Sequence, residues 1–240
     1  MRNKVAIHQP NFFPWLGFFK KWAEADIFVL LDDVQIPLKG GSWINRTQIL
    51  QNGERTWLTA PISRDELSDK KLSDVFLVQD TGWKRRAKEL FRHSYIRCKY
   101  VEDCTNLLDR NFDSENQGLL QMNLKGLRQL GELLDLDWGR IVLSSSLGIS
   151  SAGTQRLVEI VKAVFGETYL SGDGAQDYQI NEAFPEAGLN LEFLNFTHPI
   201  YSQGGSKEFT PGLSVLDAIA NLGTEETRAL LHHDTQRGRD

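Results

Sequence analysis

Two short runs near the start of the chain, Val5-Ala6-Ile7 and Ile27-Phe28-Val29-Leu30-Leu31, are almost continuously apolar. A strand with one wet face alternates apolar and polar residues, so an unbroken run means that both faces are covered. Between the runs, Trp15, Phe18, Phe19 and Trp22 fall at i, i+3, i+4 and i+7, which is one face of a helix. A polar turn from His8 to Pro14 separates the first strand from this helix, and Asp32-Asp33 ends the second strand. Strand, helix and strand in this order form a βαβ unit, whose two strands run parallel. The opening therefore predicts an α/β fold: a mostly parallel, Rossmann-like sheet flanked by helices.

The rest of the chain extends that pattern with one interruption. Residues 35–61 are rich in Gly, Asn, Gln and Trp and predict irregular or hairpin structure, with a strand over Thr56–Ala60 and another over Val75–Val78. Residues 82–136 predict a helical insertion within a single domain spanning 1–240. There Ser114 and Gln117 have capping-box spacing, and Leu120, Leu124, Leu127, Leu130 and Leu134 follow at helical intervals. The alternation returns with a strand at Ile141–Leu143, a serine turn, and a helix carrying Leu157, Ile160, Val161, Val164 and Phe165. Strands at Thr168–Leu170 and Leu191–Leu194 and a helix from Ser214 complete the prediction.

Charge and hydropathy narrow the function. The 240 residues carry 27 Lys plus Arg against 32 Asp plus Glu, a net charge of −5 with a pI near 5.6. A surface that tracks phosphates along nucleic acid would be basic, so none is expected. No apolar run approaches the roughly 20 residues that span a bilayer, and the first residues lack a signal-peptide core, which together imply a cytoplasmic protein. Cys98 and Cys104 have no ligand spacing and read as free structural thiols. His93, His232 and His233 likewise show no metal spacing and are expected to face solvent, and Lys84-Arg85-Arg86 reads as a solvated helix face. The sequence specifies neither a metal site nor a cofactor.

Open parallel sheets bind ligands beyond the carboxyl ends of their strands. That rule selects His8 and Gln9, Asp32 and Asp33, Ser144–Ser146, and Ser171-Gly172-Asp173, all expected on one sheet edge. His8 is either a core histidine bonded to backbone or a general acid or base, a role that its ordinary pKa near 6.5 suits. Asp32-Asp33 is either a solvated turn or a pair that orients His8, binds sugar hydroxyls or holds Mg²⁺. Trp43, Asn45 and Arg46 place a guanidinium among amides and a ring, suited to a phosphate or carboxylate; the alternative is an arginine paired to a local acid. Ser171 and Gly172 belong to a short glycine turn that could wrap an anion. His198-Pro199-Ile200-Tyr201 with Gln203 is either a second polar wall or a proline-fixed loop.

Taken together, His8-Gln9-Pro10-Asn11-Phe12-Phe13-Pro14-Trp15-Leu16-Gly17, Ala25-Asp26-Ile27-Phe28 and Leu31-Asp32-Asp33-Val34-Gln35 resemble the start of the WbqC-like family. The likeness continues through Trp43 to Asn45-Arg46, Trp57-Leu58-Thr59, Tyr169-Leu170-Ser171-Gly172, Asp177-Tyr178, His198-Pro199-Ile200-Tyr201 and Leu213–Asp217. The link Ile36–Ser42 is longer and more glycine-rich than the family pattern. The resemblance implies bacterial O-antigen or other surface-polysaccharide biosynthesis, with a glycine transferase role suggested for members. It adds Asn11, Trp15, Asp177 and Tyr178 to the substrate-binding residues. The opening is also similar to nucleotidylyltransferases of the adenylate-forming kind, although Phe18-Phe19 stand where those enzymes place a second histidine.

These readings converge on a transferase that acylates or aminoacylates an amino sugar on a nucleotide carrier. His8 would be the general base, with Asp32 or Asp33 orienting it and Asn45 and Arg46 holding donor or phosphate oxygens. Its partners would be small molecules, a nucleotide-linked amino sugar and an activated acyl or aminoacyl donor of unknown identity. The alternatives are a nucleotidylyltransferase-like enzyme using ATP or CTP, and a non-catalytic glycan- or nucleotide-sugar-binding protein whose Trp15, Trp43, Trp57 and Tyr201 form a stacking platform.

Overall fold

A computed structural model describes residues 3–36, 43–62, 70–79, 82–113, 118–172, 174, 179–204, 206 and 208–232. The opening unit forms as expected: β1 (Lys4–His8), α1 (Leu16–Glu24) and β2 (Ile27–Leu30), with β1 and β2 parallel and Val5 beside Ile27. Three more parallel strands, β5 (Ile141–Leu143), β6 (Thr168–Ser171) and β7 (Asn190–Phe193), complete a sheet of order β5-β2-β1-β6-β7. The fold is thus α/β with a five-stranded parallel, Rossmann-like sheet flanked by helices. The chain builds outward from β1 to one side, then returns to place β6 on the other, so the strand order reverses between β1 and β6.

Side chains alternate across the pleat and divide the core in two. Ala6, Phe28, Leu30 and Leu170 point to one face, while Val5, Ile7, Val29 and Tyr169 point to the other. On the first face the cluster extends through α1 to α2 (Trp83–Ser94), α3 (Val101–Phe112), α4 (Leu119–Leu133), α7 (Val215–Leu222) and α8 (Thr224–His232). On the second lie α5 (Gly153–Ala163) and the short α6 (Ala183–Glu186). The predicted helices of 82–136 are therefore α2–α4, sharing a hydrophobic cluster with the sheet. The proposed capping residues Ser114 and Gln117 lie outside the described residues.

A separate antiparallel hairpin, β3 (Arg46–Gln51) and β4 (Glu54–Thr59), sits over this first face. Its inner residues Thr47, Ile49 and Leu58 are fully buried. Two local expectations change. Val75–Val78 makes only isolated bridges, Phe76 with Gly118 and Leu77 with Ile62, after a 3-10 turn at Leu72–Asp74, so no continuous ladder forms. The helix of 153–163 ends before Phe165, which is 84% exposed with φ 57°, because Gly166 returns the chain to β6.

The loop from β1 to α1 is braced from three distant parts of the chain. Phe13 holds φ 42°, an uncommon conformation for a residue with a side chain. Its carbonyl accepts hydrogen bonds from Thr47 Oγ1 at 2.9 Å and Ser214 Oγ at 2.7 Å. The Asn123 amide of α4 donates to Pro10 O at 2.8 Å and Ile44 O at 2.7 Å. Backbone bonds from Phe12 N to Trp43 O and from Val215 N to Pro14 O close the frame.

Candidate functional site

The braced loop presents His8, Gln9 and Trp15 to a cavity of about 580 Å³ at the carboxyl edge of the sheet. Ile7 and His8 of β1, Tyr169 of β6, Leu31 just after β2 and Leu194 just after β7 all line it. It lies where the strand order reverses, the position at which parallel sheets leave a crevice.

His8 Nδ1 lies 3.0 Å from Gln9 O, and a carbonyl only accepts. Nδ1 therefore carries the hydrogen and Nε2 the lone pair. The ring packs edge-on against Trp15 and Phe18, with centroids at 5.6 and 4.9 Å. Burial, then the positive charge of Lys21, pull its pKa down to about 4, against a smaller upward push from the Gln9 carbonyl. His8 is thus neutral at physiological pH.

Lys21 also lines the cavity and is only 4% exposed. Its ammonium donates to Ile7 O at 2.9 Å and stands 5.8 Å from the Tyr169 ring centroid. Sequence reasoning missed it because it follows Lys20 in an amphipathic helix, where a lysine pair reads as a solvated face. The signal was there: Lys21 is three residues after Phe18 and four after Gly17, on the helix face that looks at the sheet edge. Gly17 is small because a Cβ there would meet Trp15 Nε1 at 2.7 Å and the Phe196 ring at 2.8 Å. Phe196 and His198 form the opposite wall, with ring centroids 4.8 Å apart. His198 Nδ1 accepts from Gly212 N, and burial followed by the charge of Arg55 lowers its pKa.

Among the sequence-selected residues, His8, Gln9, Trp15, Gly172 and His198 meet at this cavity. Trp43 lies next to Trp15 and Trp57, at 5.7 and 5.2 Å, and Arg46 lies 4.0 Å from the Trp57 ring centroid. Asn11 is buried, and its Oδ1 has no hydrogen-bond partner among the described residues. Asn45 is buried and donates to Ala60 O, while buried Ser171 donates to Gln179 Oε1. Asp177 and Tyr178 lie outside the described residues, as does Asp173 between the lining residues Gly172 and Gly174.

The remaining groups are bonded elsewhere. Asp32 accepts from Ser144 Oγ, Ser145 N and Ser145 Oγ at 3.1, 2.9 and 2.6 Å. Asp33 accepts from Ser144 and pairs with Arg156 at 2.6 Å; these hydrogen bonds and the Arg156 charge hold its carboxyl below the usual range despite the opposing effect of burial. The acids thus lock the ends of β2 and β5 to α5. Tyr201 and Gln203 donate to Asp217 Oδ2 at 2.6 and 3.0 Å, and Tyr95 donates to Oδ1 at 2.8 Å. Asp217 is fully buried, which raises its pKa against the lowering effect of these donors.

Among the described residues, no three His, Cys, Asp or Glu side chains converge to hold a metal, and no helix is long and apolar enough to cross a membrane. The fold and cavity define a Rossmann-like α/β protein with a crevice at its strand switch point. The chain belongs to the WbqC-like protein family, whose model matches residues 9–229. It is also similar to "Uncharacterized protein Rv1507c" of Mycobacterium tuberculosis, at 25% identity over 227 residues that cover 93% of this chain and 95% of the other. No solved structure matches the chain significantly.

Proposed function

We propose that this protein is a transferase of bacterial surface-polysaccharide biosynthesis that acylates or aminoacylates an amino sugar carried on a nucleotide, with His8 as the proton acceptor. The observation that carries this reading is the pairing, in one cavity, of a neutral imidazole whose Nε2 bears a lone pair with the buried ammonium of Lys21. The sugar amine attacks the donor carbonyl, the new C–N bond forms, and His8 Nε2 takes the amine proton and returns it to the departing group. Lys21 offsets negative charge on the carbonyl oxygen or on a donor phosphate.

A base with pKa about 4 is weak, but the value belongs to the site without a ligand. An anion bound against Lys21 offsets the second cause of the depression, the ammonium's repulsion, and raises the His8 pKa part of the way, while burial, the first cause, stays. Asp32 and Asp33 act here as braces for the cavity wall.

General base help contributes roughly 10²- to 10⁴-fold, so His8→Ala should lose about that much turnover in a mass-spectrometric transfer assay. Turnover equal to that of the wild type removes His8 from the chemistry. A binding-only reading draws on the Trp15-Trp43-Trp57 ladder; under it, ligand affinity survives and no covalent product forms with any donor.

A further inference from the structure

The outward face of the β3–β4 hairpin carries charge and aromatic surface that the cavity chemistry leaves unused. Gln48 pairs with Trp57, and Arg46 with Thr59 on one side and Leu50 with Arg55 on the other occupy neighbouring rungs of the same face; of these Leu50 is buried in the core, and the open part of the face is formed by Arg46, Gln48, Trp57 and Arg55. Both arginines lean toward the central rung. Arg46 places its guanidinium carbon 4.0 Å from the Trp57 ring centroid, and Arg55 donates from Nη1 to Gln48 Oε1 and from Nη2 to Pro211 O, each at 2.6 Å, which fixes the plane of its fork.

Neither arginine meets a carboxylate among the described residues, so no paired acid there neutralises either charge. Arg46 Nε is buried and makes no hydrogen bond there. A chain of net charge −5 thus leaves two guanidinium groups converging on one rung, beside a half-open tryptophan. This face joins the cavity on two sides. Trp43 connects Trp57 to the lining residue Trp15, and the Arg55 guanidinium and His198 Nε2 both lie within 4.0 Å of the Cβ position at Gly212.

We propose that this face is a second subsite that binds a nucleoside diphosphate, its two phosphates held by Arg46 and Arg55 and its base stacked on the Trp43–Trp57 surface. Planar guanidinium forks match the paired oxygens of a diphosphate, and an indole offers a π face to any base. The inference builds on the transferase reading: the group attached to the diphosphate reaches past Trp15 to His8, so recognition and reaction occupy separate ends of one ligand.

Titration of the full chain with uridine diphosphate, adenosine diphosphate, uridine and inorganic pyrophosphate, followed by tryptophan emission and calorimetry, tests this without any transfer donor. At least one diphosphate should bind and quench, more tightly than uridine or pyrophosphate. Arg46→Gln and Arg55→Gln should each weaken it about tenfold, the loss expected for a charge-assisted contact. Trp57→Leu should remove most of the quench. Arg55→Lys, which keeps the charge but not the fork, should fall between wild type and Arg55→Gln. The subsite is overturned if neither diphosphate saturates below about 1 mM, if uridine or pyrophosphate binds as tightly, or if both glutamine variants bind normally. Those outcomes leave the transfer assay of His8→Ala standing or falling on its own result.

Discussion

Two buried polar clusters lie behind sequence segments that looked equally functional, and they differ in what their donors and acceptors meet. Around Asp217, every group closes on another protein group: Leu50 N donates to Tyr95 Oη, which donates to Asp217, whose other oxygen accepts from Tyr201 and Gln203. Around His8, Nδ1 is used by Gln9, while the ring and the neighbouring Lys21 border open volume. A closed chain of hydrogen bonds joins the end of α2, α7 and the 201–203 segment. An imidazole beside an ammonium at a cavity is poorly explained by stability alone, since the ammonium disfavours the charged form of the ring.

The largest effect that separates the clusters should come from Asp217→Ala. Three donors lose their acceptor in a fully buried place, and denaturant unfolding should show a loss of about 3 kcal/mol. A loss below 1 kcal/mol would mean that the network is not the closed clasp described.

Acid should distinguish the two sites next. His8 has a folded pKa of about 4 against 6.5 unfolded, so the unfolded chain binds the extra proton between those values. The stability it contributes is full above pH 6.5 and is lost as pH falls through 4, an amount of about 2 kcal/mol after discounting for the partly exposed ring. Asp217 has the opposite sign: its raised pKa makes its contribution greatest in acid and lost as pH rises through the folded value. Comparing wild type with His8→Asn from pH 7 to 4 should reveal a shallower acid loss in the variant, and parallel curves would contradict the assignment.

The smallest effect should follow Lys21→Met. Removing the ammonium takes away the second cause of the His8 depression and leaves burial, the first. An NMR titration of His8 should therefore move upward yet stay short of 6.5. No movement would mean that Lys21 does not act on the imidazole.

Much of the fold was legible because its signals are local. The unbroken apolar runs of β1 and β2 and the i, i+3, i+4, i+7 aromatics of α1 reflect burial on both sheet faces and on one helix face. From the parallel sheet, the carboxyl-edge rule led to His8, Gln9 and Gly172. What remained hidden depends on partners far apart in sequence. Nothing near Tyr201 or Gln203 announces that Asp217 will claim them, and Ser144, Ser145 and Arg156 stand more than 100 residues from the acids they hold. Lys21 was obscured for another reason: beside Lys20 it reads as half of a solvated pair, although its spacing from Gly17 and Phe18 puts it on the inward face.

The loop that carries His8 is held by Thr47, Asn123 and Ser214, and this has a consequence during synthesis. The positive-φ backbone at Phe13 is held through its carbonyl by hydroxyls of Thr47 and Ser214, which leave the ribosome far apart in time. A growing polypeptide that has released β1, α1 and β2 from the ribosome already owns the imidazole and the lysine, but it has no scaffold to hold them in register. Ligand recognition must await the emergence of Ser214, so an unfinished chain is expected to be inert toward substrate while its early segments are exposed.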